Sequence, residues 1–136
     1  MAELANYLED ALVNHLLRNT ALSSPGTNVW IALNTNSQGD ADSATEVTGG
    51  SYVRIRVQGT GAWDAPSNGV TANTAQISFT TATANWGTVQ SVSIKDSSTS
   101  TGTDNLLAFS ALDSNKIVNS GDQFIFSAGN LTFTLA

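Results

Sequence analysis

Along this chain the hydrophobic periodicity changes once and does not change back. Leucines recur at every fourth position, at Leu4, Leu8, Leu12 and Leu16, and Ala11, Val13 and Leu17 widen the stripe, which predicts an amphipathic helix over residues 3–19. From Val29 onward the chain is broken into short segments rich in Thr, Ser, Asn and Gly, separated by turn residues. One helix followed by a series of short strands suits an antiparallel sandwich or barrel rather than a βαβ fold.

The helix has its acidic residues, Glu3, Glu9 and Asp10, toward its start and Arg18 in its last turn, as the helix dipole favours. Ser23-Ser24-Pro25-Gly26 is expected to end it, since Pro25 disfavours helix at Ser24 and Gly26 frees the turn. Strands are expected at 28–34, 51–58, 75–80, 88–96, 105–112, 116–119, 122–127 and 130–135. In the second, Val53, Ile55 and Val57 alternate with Arg54 and Arg56, which sends the arginines to the opposite face, toward solvent or a partner. The last two read as a hairpin through Ala128-Gly129-Asn130. The expected fold is mainly β: a jelly-roll-like sandwich of about eight short antiparallel strands with one N-terminal amphipathic helix. Its parts are a helix and turn over 1–24 and the sandwich over 25–136, in one compact domain. With 136 residues, 40% of them hydrophobic, the chain can bury one core without disulfide or metal, and it has no cysteine.

The charge excludes some partners. Five basic against 11 acidic residues give a net charge of −6, and only Arg54 and Arg56 stand close together, so nucleic acid is not an expected partner. No stretch reaches the roughly 18–20 apolar residues of a membrane span. The first residues carry negative rather than positive charge, so no export signal is expected and synthesis falls in the cytoplasm.

Residues that carry chemistry are sparse. There is no cysteine nucleophile, no Ser in a G-x-S-x-G elbow, and the one histidine, His15, lies beside the apolar stripe of the helix. No catalytic residue is assigned. Asp40, Asp42 and Glu46 share a loop but lack the spacing and central glycine of an EF-hand, so no metal site and no cofactor is assigned. The glycine pairs Gly49-Gly50 and Gly59-Thr60-Gly61 precede no helix and read as turns rather than phosphate cradles. Trp30 and Trp86 read as structural, whereas Trp63 with Asp64 is the one candidate glycan-stacking site. Residues 38–50 and 97–104 are polar and read as surface loops.

Several segments together resemble small tailed-bacteriophage virion proteins of the tail-fibre-like and capsid-decorating kind. The resemblance is carried by Leu4-Ala5-Asn6-Tyr7-Leu8, Leu16-Leu17-Arg18-Asn19-Thr20, Val29-Trp30-Ile31-Ala32-Leu33 and Gly49-Gly50-Ser51-Tyr52-Val53-Arg54. Thr83-Ala84-Asn85-Trp86-Gly87-Thr88-Val89, Val118-Asn119-Ser120-Gly121-Asp122 and Ala128-Gly129-Asn130-Leu131 extend it over nearly the whole chain. It implies a non-enzymatic β-sandwich on the outer surface of a phage particle, assembled as a homo-oligomer, a trimer by the family's habit. The resulting expectation is a capsid decoration or cement protein that binds the major capsid protein or other virion proteins and stabilises the head. The alternative is a tail- or head-fibre knob that recognises a host surface glycan through Trp63 and Asp64. Leu4, Leu8, Leu12 and His15 on the helix, and Arg54 and Arg56 on the second strand, are the candidate oligomer or capsid contacts.

Overall fold

The computed structural model describes residues 2–22 and 28–135. Among them are one helix and nine strands in antiparallel pairs, a mainly β architecture. The expected boundary at residues 24 and 25, and the Ser23-Ser24-Pro25-Gly26 turn, lie outside the described residues.

The chain opens with β1 (Glu3–Leu4) and enters α1 (Asn6–Arg18) through Ala5, whose backbone is still extended. The helix is shorter at its start than its leucine spacing predicts, because Glu3 and Leu4 pair with a later strand. At the other end Asn19 takes a left-handed conformation and stops the helix, a place usually filled by Gly and, among other residues, by Asn.

The principal sheet has five strands in the order β1-β7-β6-β2-β3, where β2 is Trp30–Asn34, β3 Ile55–Arg56, β6 Gly87–Lys95 and β7 Leu106–Val118. Two small ladders complete the fold. β4 (Val70–Ala72) pairs with β9 (Thr132–Thr134), and β5 (Ile77–Ser78) pairs with β8 (Ile125–Phe126). Ile31 and Leu33 of β2, with Val89 and Val92 of β6, form a single core with Ile77, Phe79, Phe124 and Leu131 from the ladders and their flanks. Phe79 meets Phe124 edge-on, with ring centroids 5.8 Å apart, and Tyr52 meets Trp86 edge-on at 5.3 Å.

Segments 122–127 and 130–135 do not form the expected hairpin, and the reason is one side chain. Buried Asn73 donates from Nδ2 to the carbonyls of Ala75 and Ser127, and its Oδ1 accepts the N–H of Leu131. Its backbone also bonds Leu131 and Gly129. Asn73 thus occupies the groups a hairpin ladder would use, and β8 and β9 pair with β5 and β4 instead.

The expected strands at 105–112 and 116–119 are one strand, β7, with a large bulge. Between the pairs Val89↔Lys116 and Ser91↔Ala111, β6 advances two residues while β7 advances five, which pushes residues 112–115 out of the ladder. Strands β1 and β4 were not expected from pattern, since neither carries an alternating apolar run.

Candidate assembly surface

The face of the principal sheet opposite the core carries a buried polar stripe. Asn34 of β2 and Ser91, Ser93 and Lys95 of β6 project there, and Asn34 Nδ2 donates to both serine hydroxyls at 3.1 and 2.8 Å. Residues 35–46 fold over this stripe. Gln38 Nε2 donates to Ser93 Oγ and Asp42 Oδ1, and Ser91 Oγ donates to the Asn36 carbonyl.

At the margin of this stripe Arg54 is 2% exposed at its side chain, which corrects its expected place at a solvent or partner contact. Only Ile55 and Arg56 enter the ladder, so the alternation read across 51–58 does not hold through its first half, and Val53 is the residue left exposed. The guanidinium forks onto both oxygens of Glu46 at 2.8 and 2.6 Å, reaches Asp104 Oδ2 at 2.9 Å, and donates to the carbonyls of Ser97 and Thr99. Lys95 Nζ pairs with Asp42 and lies 3.6 Å from Asp104. Burial opposes the Arg54 charge, but the hydrogen bonds it donates to Glu46 and Asp104 outweigh it and hold its pKa above the usual value. For Asp104 burial likewise works against ionisation, and the Arg54 hydrogen bond and the Arg54 and Lys95 charges prevail, so its carboxyl sits below its usual value. Tyr52 extends the network: its hydroxyl accepts the Leu33 N–H at 2.9 Å and donates to Glu46 at 3.0 Å. Burial, then the Glu46 charge, pushes that hydroxyl far above the usual tyrosine range. Both polar loops, 38–50 and 97–104, are therefore tied down rather than free. Asp42 and Glu46, considered above as calcium ligands, are each paired with a cation, and no metal-binding group of three acidic, His or Cys residues exists among the described residues.

Arg56 does reach the surface, where its Nε donates to Asn28 Oδ1. Trp63 is half-buried against the core, its indole N–H donates to the Val57 carbonyl, and Asp64 Oδ1 accepts the Thr74 hydroxyl. The two residues are adjacent in space, but both have polar groups engaged within the chain.

The helix presents the opposite situation. Leu4, Leu8 and Leu12 are half-buried and His15 is exposed, with Nδ1 3.1 Å from the Thr20 carbonyl. The neighbouring ridge is open: Val13 is 54% exposed, Leu16 75% and Leu17 81%. These three stand at i, i+3 and i+4, one continuous apolar strip. No residue of α1 is fully buried.

A second surface, polar and apolar in about equal parts, lies where β7 bulges away from β6. Here the sheet and the β8–β9 segment part to leave a cleft of ≈ 630 Å³, with Val92, Leu112, Val118, Phe124, Phe126 and Leu131 in its lining. Asp113, Lys116 and Asp122 belong to the same lining, as does Ile117, which is 68% exposed. β1 covers the outer edge of β7 only at Ala108 and Phe109, so the cleft runs beside the part of β7 that β1 leaves bare.

Beside its apolar core the chain thus has a buried polar network on one sheet face and, on α1, three large aliphatic side chains exposed side by side. The family described as podophage GP4 fiber I protein gp80 matches residues 3–134. The chain belongs to that family of phage virion proteins. Membership places the protein in the phage virion. A search of curated proteins returns no match. No described helix is long and apolar enough to cross a membrane. Of the helix residues expected as contacts, Leu4, Leu8 and Leu12 are half-buried and His15 is exposed, while the most exposed apolar side chains of the helix are Val13, Leu16 and Leu17. The cleft gave no sequence signal, because a bulge is a property of two strands' register and not of one strand's composition.

Proposed function

We propose that this chain is a non-enzymatic building block of a podophage fibre, and that its mechanism is binding: to further copies of itself and to neighbouring virion proteins. The observation that carries this reading is the uncovered Val13–Leu16–Leu17 ridge on a chain of the gp80 fibre family. Three large aliphatic side chains left in water disfavour a free monomer, by about 1.5–3 kcal/mol for each one that could instead be fully buried. A fibre place is preferred to head cement on the family description, and the burial of Arg54 against Glu46 and Asp104 removes one of the two cations offered for a capsid contact from the exposed surface.

The test is a phage lacking this chain. The fibre reading predicts particles with filled heads that withstand heating as well as the parent, that adsorb poorly to host cells, and that regain adsorption when purified protein is added. Heads that lose heat resistance and keep adsorption would instead support the cement reading.

A further inference from the structure

We propose that the α1 ridge of one copy seats in the β7–β8 cleft of the next, so that copies join head to tail through two different surfaces. The proposal rests on the assembly reading above and names its partner, a second copy of this chain. Among the described residues the chain carries an exposed apolar ridge, Val13, Leu16 and Leu17, and a cleft of mixed lining whose apolar part includes half-buried Leu112 and Phe126 and exposed Ile117. Their charges are complementary. The ridge lies at the end of the helix that carries Arg18 and His15, whereas the cleft lining has Asp113 and Asp122 against the single Lys116. Acidic side chains beside apolar ones can take both the aliphatic ridge and the Arg18 cation of an amphipathic helix. A symmetric helix-to-helix dimer would cover the ridge but leave the cleft open and set like charges together. One donor and one acceptor per chain make the contact heterologous, and such contacts close into a ring when the rotation permits.

The test uses the full chain and two variants at exposed positions, Leu16→Glu with Leu17→Glu on the ridge, and Ile117→Glu in the cleft. Both are expected to keep the parent's urea midpoint, which separates loss of contact from loss of fold. In sedimentation the parent self-associates, and each variant alone does so roughly a hundredfold more weakly or not at all. Mixed together, the variants form a one-to-one dimer, because one retains a cleft and the other a ridge. The chain has no cysteine, so Leu17→Cys paired with Ile117→Cys in the same chain should cross-link between copies on oxidation. A monomeric parent, a mixture that forms no dimer, or Leu17→Cys linking only to itself would overturn the proposal. Association through this contact in a protein found on the head would retire the fibre reading alone. A monomer found in the fibre would retire only the contact.

Discussion

At Arg54 one guanidinium holds two carboxylates and two carbonyl oxygens where water barely reaches. Removing one partner of such a cluster leaves the others buried and uncompensated, at a cost of about 3–5 kcal/mol. Arg54→Ala should therefore lower the urea midpoint strongly with an unchanged slope, and a drop no larger than that of an exposed substitution would contradict the assignment. The acid response follows from Asp104. Its folded-state pKa lies below the unfolded one, so its contribution is complete above the unfolded value, about 4, and is lost as pH falls through the folded value. Stability should hold from neutrality to about pH 5 and then decline, and Asp104→Asn should flatten that decline. A midpoint in urea measured across acid pH checks both. Arg54 looked like a surface residue because alternation assigns faces, and alternation cannot say that residues 35–46 return to cover the polar face. Serines and asparagine at Ser91, Ser93 and Asn34 carry no apolar signature, so a buried polar face reads as a wet one.

The short ladders owe their pairing to particular residues rather than to strand propensity. Asn73→Ala removes three side-chain hydrogen bonds in a buried place and should cost roughly 2–4 kcal/mol. Because Asn73 joins the Ala75, Ser127 and Leu131 segments, amide exchange should quicken in β8 and β9 before it does in β6. Gly69 stands at φ +76°, and a Cβ there would collide with the Leu135 carbonyl oxygen that follows β9. Gly69→Ala should destabilise by about 1–3 kcal/mol, and a neutral result would mean that β4 and β9 are not held as described. Element types were largely readable from the sequence. The helix, β2 and β6 follow from leucine spacing and from the Val29–Leu33 and Val89–Ile94 runs. Partners were not, since β8 and β9 have ideal hairpin chemistry and are diverted by a residue more than fifty positions away. Nor could pattern reveal that residues 105–119 make one strand, because the polar stretch at 113–116 looks like a turn until its register is known.

For the whole molecule the arrangement separates two jobs. The ion cluster and the Asn73 junction hold a small fold of short antiparallel strands together, while the helix ridge and the bulged edge of β7 are the surfaces proposed above for contact with other chains. Membership of the gp80 fibre family accords with that division. Nothing in the geometry requires a metal or a reactive side chain for binding of this kind. Trp63 packs half-buried against the core, and its indole N–H is bonded to the Val57 carbonyl. Trp63→Phe is accordingly expected to lower stability through the lost Val57 hydrogen bond, by about 1 kcal/mol, and to leave adsorption of assembled particles unchanged. Electron cryo-microscopy of intact virions decides whether the chain is a fibre component. Density fitting this fold in repeated copies within an appendage, with α1 between neighbours, is the predicted result; copies spread over the head lattice and absent from every appendage would contradict the account.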